Sequence, residues 1–223
     1  MTDDQEIECR FRLTPELKDK LLSLDTLGGF FRSRVEYRDI RDVYLDTGEK
    51  HLLDAGAMYR LRDQTGSESV LLLGYKQTKK LEGAKATMIQ VEVPLEPHRR
   101  HDFIRDRIDS EPTRMARALI GNKPFALAFL VANRRTAIWF KNQEYAGMIE
   151  VALDDLIYHG PDLKTVDDAE IECECKGVPS EAFDSFVSEL QRRYDLQPSV
   201  GNKYQRAMQK VYGIPISGIG GAR

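Results

Sequence analysis

Near the start of the chain, Glu6, Glu8 and Arg10 alternate with Ile7, Cys9 and Phe11. Successive side chains of an extended strand point to opposite faces, so this run has one ionic face and one apolar face. The pattern recurs. Arg60 and Arg62 flank Leu61, Gln90 and Glu92 flank Val91, and Glu170, Glu172 and Glu174 flank Ile171 and Cys173. For any one strand the simplest reading of an ionic face is exposure to solvent. Its repetition along the chain favours another arrangement, in which antiparallel strands close on themselves, the apolar faces turn outward under helices, and the ionic faces line the interior.

Strand-type patterning appears near residues 5–13, 34–46, 57–64, 68–78, 87–95, 127–141, 145–158 and 168–176. Helical signals fall between and after these runs. Thr14-Pro15-Glu16 combines an N-cap with a proline in the first turn, and Leu17, Leu21 and Leu24 extend an apolar stripe. A helical pair is expected near 100–120, another helix begins at Pro179-Ser180-Glu181 with Phe183, Phe186, Val187 and Leu190 on one face, and a last one spans about 202–212. The expected fold is α+β and mainly β: a closed eight-stranded antiparallel β-barrel, or tunnel, with a charged interior and helices packed outside. Residues 1–213 form a single domain in this reading, and the glycine-rich stretch 214–223 is a flexible tail.

Charged residues make up 31% of the 223 residues, yet the net charge is only -3. Burying that many charges is unfavourable unless they are paired or neutralised by a guest, so an interior holding both signs implies a charged ligand. A lipocalin-like carrier of apolar molecules would need an apolar interior instead. The near-neutral balance argues against a nucleic-acid partner, and no run of eighteen apolar residues suggests a membrane span. The start MTDDQEIECR lacks the order of a signal peptide, which leads to a cytoplasmic expectation. Cys9, Cys173 and Cys175 have no second Cys/His pair at zinc spacing and read as reduced thiols packed like small apolar groups. The basic run HRRHDFIRDR at 98–107, with His98 and His101, reads as a solvated segment rather than a phosphate patch.

EIECR resembles the ExExK signature of the CYTH superfamily, also called triphosphate tunnel metalloenzymes, with arginine where lysine is usual. The resemblance continues in order through DVYLDT (Tyr44, Asp46, Thr47), MYRLRDQ, LLLGYKQT, IQVEVPL, NRRTAIWF, IEVALDD, AEIECECKG and GNKYQRA. It covers residues 6 to 206, and the run IEVALDD followed by AEIECECKG is most similar to bacterial inorganic triphosphatases.

The resemblance implies a division of labour. Glu6, Glu8, Glu170, Glu172 and Glu174 would bind one or two Mg2+ or Mn2+ ions, as carboxylates two residues apart, about 7 Å along a strand, suit a hard cation. Arg10, Arg60, Arg62, Lys76, Arg135 and Lys203 would grip the triphosphate, with Arg206 as a further candidate. Arg134 and Arg135 occupy opposite faces, and the sequence leaves open which of them points inward. Glu92 and Asp154 are the carboxylates assigned to general-base or metal-orienting work.

The implied activity is metal-dependent hydrolysis of a triphosphate, foremost inorganic tripolyphosphate to pyrophosphate and phosphate. Thiamine triphosphatase, a class IV type adenylyl cyclase and a non-catalytic polyphosphate- or nucleotide-binding module are the alternatives on the same fold. Thiamine triphosphate would call for an aromatic stacking surface at the tunnel mouth. Trp139, the single tryptophan, shares the face of Arg135 but reads first as a core residue. The partner is thus a triphosphate-containing small molecule, and the sequence leaves monomer and homodimer open.

Overall fold

A computed structural model describes residues 5–66, 68–160, 162 and 164–216. The chain opens with β1 (Gln5–Arg12), α1 (Pro15–Leu22), β2 (Thr26–Leu27) and β3 (Phe30–Asp46). The middle carries α2 (His51–Asp54), β4 (Ala57–Thr65), β5 (Val70–Glu82), β6 (Lys85–Pro94), α3 (Arg100–Ile104) and α4 (Glu111–Ile120). It continues through β7 (Ala126–Lys141), β8 (Met148–His159), β9 (Thr165–Lys176), α5 (Ser180–Tyr194) and α6 (Lys203–Tyr212).

Eight strands pair antiparallel in the order β1-β6-β5-β4-β3-β7-β8-β9, and β9 returns to β1, so the barrel is closed. The closed eight-stranded barrel expected from the alternation is therefore present. A ninth strand, the two-residue β2, adds to the start of β3, which begins at Phe30 rather than near residue 34. β5 and β6 also run longer than their apolar patterning suggested, meeting at a hairpin where Glu82 pairs with Lys85 and Gly83 takes φ +60°. Only the local turn chemistry marks that extension, because Lys79, Lys80 and Glu82 are exposed and carry no alternation.

Apolar side chains cover the outside of the barrel. Cys9, Phe11, Ile138, Phe140, Ile149, Val151, Ile171 and Cys173 pack beneath Leu21 of α1 and Phe183, Phe186 and Leu190 of α5. Cys9 and Cys173 face each other across the β1–β9 ladder, and burial pushes the Cys9 thiol up to about 12. α1 begins as its sequence indicates, with the Thr14 hydroxyl accepting from the Leu17 amide and proline in the first turn. A second outer layer joins Tyr59, Leu61, Leu71, Leu73 and Tyr75 to Leu52 of α2, Phe103 of α3 and Ala116 and Ile120 of α4. The basic run at 98–107 lies over this layer. Phe103 is buried while His98 and His101 are exposed, in keeping with a solvated segment.

α6 differs from the outer helices. Its Tyr204, Ala207, Met208 and Val211 pack against Tyr44, Met58, Phe129, Val131, Leu156 and Tyr158, which share the inward parity of the strands. Tyr44, Phe129 and Tyr204 stack with centroids 4.7–5.7 Å apart. One end of the barrel is thereby plugged with apolar contacts, and the opposite end, where β1 starts and β9 finishes, is the mouth. Asp46 fastens the plug by accepting from the Tyr204 hydroxyl at 2.6 Å and from the amides of Thr47, Leu52 and Leu53. The expected tail at 214–223 falls mostly on residues 217–223, which lie outside the described residues. No helix among the described residues is long and apolar enough to cross a membrane.

Candidate active site

The ionic faces of the strands all turn into the barrel, where cations and carboxylates meet in three groups. The first sits on the floor of the cavity, next to the α6 plug. Register places Arg135 opposite Asp154, and Asp154 opposite Glu170, so β7, β8 and β9 bring these side chains to one level. Arg135 donates from Nε and Nη2 to the two Asp154 oxygens at 2.7 Å each, and from Nη2 to Glu172 at 2.5 Å. That settles the choice left open by the sequence: Arg135 is buried inside, and Arg134 is exposed outside.

α6 supplies the remaining floor cations. Asn202 caps its first turn reciprocally with Gln205, which fixes the helix start and sends Lys203 and Arg206 into the barrel. The Lys203 ammonium lies 2.8 Å from Asp154, 2.8 Å from Glu170 and 2.9 Å from Glu172. Arg206 donates to Glu170 at 2.6 Å and to Asp168 at 2.9 Å. Burial disfavours ionised carboxylates here, yet Arg135 and Lys203 outweigh it and hold Asp154 below the usual carboxylate range. Glu172 is held well below it, with Lys203 and Arg135 again overcoming burial.

The second group lines the side wall nearer the mouth. Glu8 pairs with Glu174 in the β1–β9 ladder, and Glu174 with Glu150 in the β8–β9 ladder, so three carboxylates stand side by side. Like charges directly opposite one another are destabilising unless something neutralises them. Lys76 donates to Glu6 at 2.6 Å and lies 3.8 Å from Glu8, while Lys176 contacts Glu174. Burial opposes ionisation of Glu174, but Lys176 outweighs it and brings Glu174 down to about 2, whereas burial keeps Glu6 above its ordinary value, Glu174 adding to the rise against the pull of Lys76. Arg10 contacts Glu8, donates to the Met88 sulfur at 3.4 Å and lies 3.9 Å from Glu172.

Glu8 is the least satisfied carboxylate of this group. It is fully buried, and neither of its carboxylate oxygens accepts a hydrogen bond, although Arg10 and Lys76 are its ion-pair neighbours. A buried, unsatisfied carboxylate is costly and is well matched to a hard cation. Glu6, Glu8 and Glu174 can each offer an oxygen to one point, and so can Asp154, Glu170 and Glu172, with the atoms of each set within 4.8 Å of one another. Both triads therefore fit a divalent ion, and on the side wall fewer protein hydrogen bonds compete for the oxygens.

The third group is on the opposite wall. Arg62 grips Asp42 with two hydrogen bonds of 2.8 Å, and Arg60 donates to Glu92 at 3.0 Å while lying 3.6 Å from Asp42. Gly74 stands between Arg60 and Glu92 across β5. A Cβ there would come within 3.1 Å of the Glu92 carboxylate, so glycine lets the pair meet. Burial opposes ionisation of Asp42, but Arg62 and Arg60 bring it down to about 2. Glu92 is likewise held low, Arg60, Arg62 and Lys76 outweighing its burial.

All the site residues singled out from the sequence face the interior. Arg135, Asp154, Glu170, Glu172 and Lys203 converge on the floor, Glu6, Glu8, Arg10, Lys76 and Glu174 on the side wall, and Arg60, Arg62 and Glu92 on the opposite wall. Asp154 does not stand apart from the glutamate ladder; it forms a triad with Glu170 and Glu172. Sequence reasoning passed over Asp42, Arg38, Glu150 and Lys176. Parity could have found Asp42 and Glu150, which lie two and four residues from Tyr44 and Asp154 on the same strand faces. Trp139 is buried on the inner wall beneath guanidinium groups rather than in an apolar core, because it shares the inward parity of Arg135.

Known proteins of this architecture are recognisable. No curated protein matches the sequence. Among solved structures, a candidate adenylyl cyclase of Hippeastrum, described as having a dominant triphosphatase activity, superposes with a TM-score of 0.64 at 19% identity, covering 94% of this chain and 97% of its own. A candidate adenylate cyclase of Bacillus halodurans gives 0.62 at 20% identity over 91% and 98%, and the PH1819 protein of Pyrococcus horikoshii 0.60 at 14% over 92% and 99%. At such identities the likeness is one of fold. The CYTH domain model matches residues 4–208, nearly the whole barrel with its plug, and on that match the chain belongs to the CYTH domain family.

Proposed function

We propose that this protein is a divalent-metal-dependent triphosphatase whose preferred substrate is inorganic tripolyphosphate, cleaved to pyrophosphate and phosphate. The observation that carries the reading is the interleaving, in one barrel interior closed at one end by α6, of two buried carboxylate triads with cations from four strands and a helix. A plain anion-binding module would be better without carboxylates facing its ligand. Their presence makes sense where cation and polyphosphate bind together.

Glu6, Glu8 and Glu174, and with them Asp154, Glu170 and Glu172, are the groups that would hold Mg2+ or Mn2+. The chemistry supplied by an ion bound there is Lewis-acid polarisation of phosphoryl oxygens and neutralisation of their charge. Arg60, Arg62, Lys76, Arg135, Lys203 and Arg10 bind the remaining phosphate oxygens through charge-assisted hydrogen bonds and stabilise charge on the group in transfer. Arg10 offers a planar fork where the family signature has lysine, which suits positioning rather than proton donation. Glu92, kept ionised by Arg60 and Arg62, orients the attacking water by accepting its hydrogen bond. The water oxygen bonds to the terminal phosphorus as the bridging P–O bond breaks, the electron pair leaves on pyrophosphate, and the proton lost by the water passes to the Glu92 carboxylate. Asp154, gripped by two cations, is a poor proton acceptor, and besides its place in the floor triad it holds Arg135 and Lys203 in position.

The test is a product assay of purified protein with tripolyphosphate, thiamine triphosphate and ATP, each with Mg2+, Mn2+ or excess chelator. Phosphate release from tripolyphosphate that disappears with chelator is expected. Full activity in chelator would remove the metal role, and cyclic AMP as the main product from ATP would replace the hydrolase with a cyclase.

A further inference from the structure

At the mouth, the β3–β7 wall carries a contact that the proposed reaction does not use. Trp139 pairs with Arg34 across one ladder and with Glu150 across the other. The Arg34 guanidinium lies over the indole, 4.5 Å from its ring centroid, and that of Arg38 lies 5.7 Å away. One carboxylate holds both arginines: Arg34 Nε donates to Glu36 at 2.6 Å, and Arg38 Nη2 donates to its other oxygen at 2.5 Å. Arg38 also donates to Glu150 at 3.0 Å. Arg34 is half exposed while Trp139 is 8% exposed, so the bracket stands between solvent and the ring.

The consequence concerns what else a triphosphate can carry. In a barrel plugged at the other end by α6, any organic substituent on the substrate must extend through the mouth. An indole there is the natural stacking surface for a nucleobase or a thiamine ring, but a guanidinium already lies on it. We propose that the Arg34–Glu36–Arg38 bracket over Trp139 is a specificity device that favours a bare polyphosphate over triphosphates bearing an aromatic group. An incoming ring must displace Arg34 and break its pairing with Glu36, whereas inorganic tripolyphosphate passes without touching the indole.

This inference rests on the triphosphatase reading, and binding measurements separate the two. Calorimetric titrations with tripolyphosphate, ATP and thiamine triphosphate are made on wild-type protein, Arg34→Ala and Arg34→Ala/Trp139→Leu, with Ca2+ present. The wild-type protein should prefer tripolyphosphate. Arg34→Ala should narrow that preference by about three- to tenfold through tighter binding of the aromatic substrates, and the added Trp139→Leu should cancel the gain. Wild-type protein that binds none of the three overturns the triphosphate reading itself. Preference unchanged in folded Arg34→Ala, or affinity for all three lowered equally, overturns the bracket alone.

Discussion

The floor and the side wall of the barrel interior carry carboxylate triads that each face three cations, but only on the floor do those cations hydrogen-bond most of the carboxylate oxygens. On the floor, Asp154, Glu170 and Glu172 are met by Arg135, Lys203 and Arg206 in contacts of 2.5–2.9 Å. The floor is close to neutral as it stands, although Glu170 Oε1 meets Lys203 off a hydrogen-bond direction. On the side wall, Glu6, Glu8 and Glu174 have weaker support, and Glu8 has no hydrogen bond at all. The difference teaches that one protein interior can use the same residue type in two ways. Where built-in cations hydrogen-bond the carboxylate oxygens, carboxylates bind the fold together; where ion-pair neighbours leave the oxygens without hydrogen bonds, as at Glu8, carboxylates stay open to a ligand.

The comparison breaks most visibly if the lysines are exchanged for apolar isosteres. Lys203→Met should cost about 3–5 kcal/mol in urea unfolding, because it strands three buried carboxylates. Lys76→Met should cost about 1–2 kcal/mol, since Glu6, already hard to ionise, can take up a proton instead. Equal losses would show that the two triads are equally dependent on protein cations.

Removing a carboxylate sharpens the contrast with a smaller effect. Glu172→Gln should destabilise the metal-free protein by about 1–3 kcal/mol by leaving Arg135 and Lys203 short of counter-charge. Glu8→Gln should leave melting temperature unchanged or raise it, while both variants lose most turnover. A clear fall in stability for Glu8→Gln would mean that its partners hold it more firmly than its geometry indicates.

Acid unfolding places the opposite wall on the floor's side of the comparison. Asp42 goes from an ordinary value of 3.8 to about 2 in the fold. Its lowered value means that its contribution, about 2 kcal/mol, is complete above pH 4 and is lost as pH falls towards 2. In Asp42→Asn this part of the acid limb should flatten when stability is followed by circular dichroism. A limb identical to wild type would uncouple Asp42 from Arg60 and Arg62.

The gentlest test is direct metal binding without substrate. Mn2+ titrated by calorimetry should bind Glu8→Gln about tenfold more weakly, a change of about 1.4 kcal/mol. Asp154→Asn should leave the first binding event unaltered. Reversed results would put the preferred ion on the floor.

Much of this arrangement was legible before any coordinates. Arg60 with Arg62, and Glu170 with Glu172 and Glu174, are two apart, and a period of two fixes their common face whatever the register. Pairing was beyond reach of parity. Whether Arg134 or Arg135 points inward depends on how β7 meets β3, a contact between segments some ninety residues apart. Likewise, Asp42 gave no local sign that it would serve Arg62, because its partner lies across the β3–β4 ladder. α6 read as an outer amphipathic helix, since nothing in a helical stripe tells whether its apolar face meets the outside of a barrel or fills its end.

That plug has a consequence for how the protein is made. α6 follows every barrel strand in the sequence, so a growing chain exposes Asp154, Glu170 and Glu172 before Lys203 and Arg206 exist to answer them. A barrel that shut early would leave Arg135, with Arg10 near Glu172, to answer these three carboxylates, an excess of negative charge that opposes closure. Strand closure and helix docking thus favour each other, because the charge balance of the closed barrel is complete only with α6 in place.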